Sequence, residues 1–156
     1  MSVSPIPQGF HSLTPYLVVK DAKSALTFYQ QAFNAVTTLE LNTPDGSVAH
    51  AEMKIGNSYL MITEEYPDMG FVGPETLGGA GVSLMLYTED VDLLCNQAID
   101  AGCELLRPVI DQFYGDRAGT VKDPYGHVWT IGTHTEDLTD EELSARMLDY
   151  MKKADE

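Results

Sequence analysis

The chain states one design twice. Thr14-Pro15-Tyr16-Leu17-Val18-Val19-Lys20-Asp21 is an apolar run ending in an Asp that opens a helical pattern, and Ser83-Leu84-Met85-Leu86-Tyr87-Thr88-Glu89-Asp90 repeats it. Each copy leads into a helix-like stretch and then into further strand-like runs. A duplicated module pairs with its copy to bury its apolar face, so this repeat constrains the fold more than any local propensity does. It predicts two half-sheets around a shared cleft, with function placed between the halves.

In the first copy, residues 13–19 read as a strand. Asp21 caps a helix over 22–33, where Ala22, Ala25, Leu26, Tyr29 and Phe33 recur at helical spacing, and Asn34 is a left-handed stop. Strands follow over 35–42, 47–55 and 58–64, with Pro44-Asp45-Gly46 as a turn. Strand 47–55 alternates, setting Ala49, Ala51, Met53 and Ile55 against His50, Glu52 and Lys54. The second copy runs as strand 82–88, helix 91–101 between Asp90 and Gly102, and strands 104–110, 117–122 and 127–133. Each half is therefore βαβββ. The expected architecture is α+β in a single domain over 1–156, with repeats at about 10–64 and 82–134 and a helical tail over 135–156. Residues 65–81 form a long irregular connection. In the tail, Thr139 and Glu142 make a capping-box pattern before a helix over 140–152. Its face of Leu143, Met147, Tyr150 and Met151 calls for a partner, either the chain's own sheet or a second subunit.

Charge narrows the function. Nine Lys and Arg stand against 24 Asp and Glu, a net of −15. Such a surface repels nucleic acid phosphates and anionic lipid, and it attracts cationic small molecules. Cys95 and Cys103 have no close-spaced partner and read as small apolar core residues. The first residues, Met1 to Pro7, lack a basic start and an apolar segment, so neither a secretory leader nor a membrane span is expected, and the expected compartment is the cytoplasm.

Three stretches carry a resemblance. They are Ala25-Leu26-Thr27-Phe28-Tyr29-Gln30-Gln31-Ala32-Phe33, His50-Ala51-Glu52-Met53-Lys54-Ile55-Gly56, and Phe113-Tyr114-Gly115-Asp116-Arg117 followed by Asp123-Pro124-Tyr125-Gly126-His127-Val128-Trp129. Over residues 10–134 the chain resembles the vicinal oxygen chelate superfamily, also called the glyoxalase/bleomycin-resistance/dioxygenase superfamily, and within it the PhnB-like branch. The resemblance implies paired half-barrel sheets around a cleft, the glyoxalase-like fold. It also implies a dimer, formed by side-by-side packing or by exchange of half-modules. PhnB-like proteins have been labelled demethylubiquinone methyltransferases. This chain shows no Gly-rich strand–loop–helix to hold S-adenosylmethionine, and that label is set aside.

Metal-using members of the family place one inward His or Glu on each of four strands. Here the matching positions fall on Thr14, Ser83 and Thr130, and on Met61 or Thr63, with Glu64 one register slip away. Neutral hydroxyls are poor ligands for a divalent transition metal, so no metal or other cofactor is expected. Alternation turns Thr14, Tyr16, Met61, Ser83, Met85, Tyr87 and Thr130 toward the cleft as a ligand lining. His50, with Glu52 on the same strand face, is the candidate general base; the alternative is a histidine satisfied by a neighbouring strand. Arg117 either clamps a ligand carboxylate or pins its turn through an acid. Tyr114 either stacks over a flat ligand or seals the sheet edge. The expected function is a metal-free homodimer that binds a small, cationic organic molecule. The alternative is a glyoxalase-like lyase, isomerase or dioxygenase using a displaced metal or His50.

Overall fold

A computed structural model describes residues 2–156; Met1, the first residue of the N-terminal arm, lies outside the described residues. The two repeats appear as drawn from the sequence. The first comprises β1 (Tyr16–Val19), α1 (Ala22–Phe33), β2 (Val36–Asn42), β3 (Val48–Ile55) and β4 (Ser58–Glu64). The connection holds a 3-10 turn over Pro67–Met69 and the short α2 (Pro74–Leu77). The second comprises β5 (Ser83–Tyr87), α3 (Val91–Ala101), β6 (Glu104–Asp111), β7 (Asp116–Lys122) and β8 (Val128–His134), and α4 (Asp140–Ala154) closes the chain. Each repeat folds into one four-stranded mixed sheet, ordered β1-β4-β3-β2 and β5-β8-β7-β6.

The helix boundaries follow from capping chemistry. Asp21 and Asp90 each accept a backbone N–H from the first turn, Ser24 and Leu93 respectively, and Asn34 ends α1 at φ 57°. β1 is shorter than the apolar run before Asp21 because Pro15 has no N–H for a ladder. Its carbonyl still accepts from Met61 N–H at 2.9 Å, so Thr14 and Pro15 continue alongside β4.

Alternation then assigns two faces to each sheet. Leu17, Val19, Ala51, Met53, Leu60 and Ile62 are buried under α1, and Trp129 and Ile131 are buried in the second repeat. The repeats join through this helix-covered side, where α1 packs on α3. At the junction sits Asp123, buried and accepting four hydrogen bonds. Tyr29 Oη donates at 2.5 Å from the other repeat, Trp129 Nε1 at 2.9 Å, and the backbone N–H groups of Tyr125 and His127 complete the set. Burial and the adjacent carboxylate together push the Tyr29 phenol well above its ordinary range. Gly126, at φ 89°, turns the chain so that His127 returns to Asp123 and donates its Nε2–H to Val18 O, 3.1 Å away on β1. Cys95 and Cys103 are buried free thiols, and burial pushes Cys103 up to about 12.

Two segments differ from the sequence expectation. The 65–81 connection is folded onto the first repeat: Gly73 N–H donates to Glu65 at 2.8 Å, and Phe71 meets the Tyr16 ring edge-on. α4 docks only lightly, through Tyr150 against Phe113 and through Arg146, whose guanidinium forks onto Glu136 at 2.6 and 2.8 Å; no α4 residue is buried. No helix among the described residues is long and apolar enough to cross a membrane.

Candidate functional site

The face of the first sheet opposite α1 carries Tyr16, His50, Glu52 and Met61. Strand register fixes this grouping, because Tyr16 lies beside Met61 and Met61 beside Glu52. Tyr16 Oη is 3.0 Å from His50 Nδ1, and His50 Nε2 is 3.5 Å from Glu52 Oε1. Nδ1 is thus hydrogen-bonded within the same face, while Nε2 stands at ion-pair distance from Glu52 without a hydrogen bond to it. Proton exchange with a ligand through Nε2 would leave the Tyr16 bond to Nδ1 in place.

The second sheet presents Met85, Tyr87 and Thr130 on its corresponding face. Thr130 Oγ1 is paired with Thr120 Oγ1 at 3.1 Å, and Met85 extends its methyl over Gly132, where an added Cβ would stand 2.6 Å from it. Further along lies a cluster that the sequence reading did not assemble. Asp116, buried, accepts from Tyr87 Oη at 2.9 Å and lies 2.8 Å from His134 Nδ1, while His134 Nε2 meets the exposed Asp137 at 2.7 Å. The bonds to Asp137 and Asp116 raise the His134 pKa, and the bond to Asp116 raises that of Tyr87. Ending the last strand at 133 hides His134. Carried one residue further, the alternation through Val128, Thr130 and Gly132 puts it on the open face, directly across from Asp116.

Arg117 stands apart from these groups. Its strand neighbour Asp116 takes the open face, so Arg117 points to the helix side. There it forks onto Asp92 of α3 at 2.8 and 3.0 Å and reaches Asp111 at 3.3 Å. Of the two roles open to it, this geometry is that of the structural pin. Tyr114 lies in the β6–β7 turn, partly exposed and close enough to Asp116 for the carboxylate, after burial, to raise its pKa.

The register also settles the metal-ligand positions. Tyr16 beside Met61 is repeated by Met85 beside Thr130, so Met61, and not Thr63, is the counterpart of Thr130. Glu64 turns to the helix side, where it accepts from Ala22 N–H at 3.3 Å. The four positions are therefore Thr14, Met61, Ser83 and Thr130: three alcohols and a thioether. Hard alcohols and a soft thioether, without imidazole or carboxylate, do not make a divalent transition-metal site. Elsewhere among the described residues, no three His, Cys, Asp or Glu side chains gather closely enough to hold a metal ion.

Between the repeats opens a cavity of about 750 Å³. β5 is the edge strand of its sheet, so both of its sides border this space. Thr14, Met85 and Tyr87 line it, together with the 55–60 hairpin and the buried rings of Phe33 and Trp129. A volume of this size suits a drug-sized organic molecule.

Similarity to known proteins agrees with this construction. The model of the Glyoxalase/Bleomycin resistance protein/Dioxygenase superfamily matches residues 9–131. The chain belongs to that superfamily. Rv0887c, an uncharacterised protein of Mycobacterium tuberculosis, is 37% identical over 139 residues, covering 87% of this chain and 82% of that one. Among solved structures of the superfamily's fold, TioX from Micromonospora sp. ML1 superposes with a TM-score of 0.64 at 22% identity, over 80% of this chain and 98% of its own. The PhnB protein of Bacillus cereus gives 0.62 at 19% identity, over 79% and 99%. Both likenesses concern the fold.

Proposed function

We propose that this superfamily member binds a small organic molecule without a metal ion, as a sequestering or resistance-type protein. The observation that carries the reading is a drug-sized cavity between the repeats; at the positions where the resemblance implies metal ligands stand Thr14, which lines that cavity, and Met61, Ser83 and Thr130, which do not. Binding here rests on apolar contact and a few hydroxyl and amide groups, which fix orientation without supplying a Lewis acid. We also propose a homodimer. Tyr16, Leu39 and Leu41 are large side chains left exposed on the open face of the first sheet, and a second copy laid against that face would cover them.

The test is a thermal-shift screen of chelator-treated protein against small aromatic compounds. Compounds that raise the melting temperature in proportion to occupancy support the reading. A panel with no shift, beside turnover that appears only when a divalent metal is restored, would contradict it. A second reading, acid–base catalysis by His50, is favoured by the Tyr16–His50–Glu52 contacts. If turnover is found in the metal-free protein, His50→Ala abolishes it under this reading and leaves ligand binding in place.

A further inference from the structure

The cavity between the repeats has a property that the overall charge of the chain conceals. Although the protein carries −15, no Asp, Glu, Lys or Arg lines this space; its polar groups are hydroxyls, the amides of Asn34 and Asn57, and the imidazole of exposed His11. Phe33 and Trp129, with ring centroids 4.6 Å apart, are buried behind its wall, and the aromatic side chains that open onto it are Tyr59 and Tyr87. The Trp129 N–H is committed to Asp123, which fixes the buried indole beside the cavity. Ile55, Leu60 and Leu94 are buried aliphatic walls.

A charged ligand would leave its hydration shell here without meeting an opposite charge, a cost that selects against ions of either sign. An uncharged aromatic molecule loses little on entry and gains contact with the rings of Tyr59 and Tyr87 and with the exposed side chains of Leu13 and Met85. We infer that the inter-repeat cavity is a binding site for an uncharged, predominantly aromatic small molecule, held by stacking and apolar contact and oriented by amide and hydroxyl groups at its edge. This rests on the small-molecule reading above and sets aside the cationic ligand that net charge alone suggests. The acidic surface raises the local concentration of cations, whereas the wall chemistry decides what stays bound.

Trp129 is the sole tryptophan of the chain and lines the site, so the protein carries its own reporter. The experiment titrates the full chain with three naphthalenes of one size: 2-naphthalenemethanol, 2-naphthoate and 2-naphthylmethylammonium. Binding is followed by calorimetry and by Trp129 emission. The alcohol should bind saturably, about tenfold or more tighter than either ion, with a matching change in Trp129 emission. Met85→Glu, at an exposed position on the cavity wall, should invert the order in favour of the ammonium ion. Tighter binding of the ammonium or the naphthoate by the native chain, with Trp129 responding, overturns the uncharged class and leaves the small-molecule reading standing. Silence of all three probes in both readouts overturns the site, and the screen of the preceding subsection then decides the broader reading alone. Probe binding that weakens as protein concentration rises assigns the cavity to a segment of a second copy and overturns the proposal.

Discussion

Asp123 explains why the most recognisable stretch of the chain is about folding. Its carboxylate gathers Tyr29 from the first helix, Trp129 from the last strand and two backbone N–H groups of its own turn. The Phe28-Tyr29 stretch and the Asp123-to-Trp129 stretch are therefore two ends of one buried network across the repeat boundary. Asp123→Ala would strand four donors and should cost about 3 kcal/mol or more, whereas Tyr29→Phe removes one of four and should cost about 1 kcal/mol. Denaturant melts read from Trp129 emission check both; equal losses would contradict the hub. His134 makes a second prediction at this scale. Its folded pKa is raised by Asp137 and Asp116, so its contribution to stability is complete below the unfolded value, near 6.5, and is lost as pH rises through the folded value. The melting-temperature gap between the native chain and His134→Gln should therefore be larger at about pH 6 than at about pH 9. A gap that widens with pH would contradict this.

At the scale of elements, much was legible in the sequence because period and capping fix it locally. Both βαβββ units, the Asp21 and Asp90 caps, the Asn34 stop and the burial of Trp129 and Ile131 follow from residues a few positions apart. That Tyr16 and Met61 share one open face, and Met85 and Thr130 the other, was legible for the same reason, since alternation fixes a face once the strand is known; of these four, Met85 alone lines the cavity. What was not legible depends on partners far along the chain. Which acid Arg117 pins is open until Asp92 is seen packed beneath it, and Asp116 with His134 becomes a pair only through the β7–β8 register. Two element-scale outcomes follow. Arg117→Ala should loosen the first turn of α3, seen as faster amide exchange there, and leave ligand affinity unchanged; weakened binding would return Arg117 to the site. Arg146→Ala should free α4, with loss of exchange protection confined to Asp140–Ala154, because no α4 residue is buried. Loss spreading into the β6–β7 sheet would show that the tail supports the second repeat.

For the whole molecule, the duplication supplies the superfamily's frame, while Thr14, Met61, Ser83 and Thr130 stand at the four symmetric positions where the resemblance implies metal ligands. Under the proposed function the same fold serves binding by shape and apolar surface, in keeping with sites, and not folds, determining function. The decisive measurement is metal retention. The native chain is dialysed against Mn²⁺, Ni²⁺ and Zn²⁺, passed through gel filtration and assayed for bound ion, beside a variant carrying Thr14→His, Ser83→His and Thr130→Glu. The native chain should keep no stoichiometric metal, and the variant, given two imidazoles and a carboxylate in the family's positions, should keep one ion per chain. One equivalent retained by the native protein and released on Thr130→Ala would contradict the account.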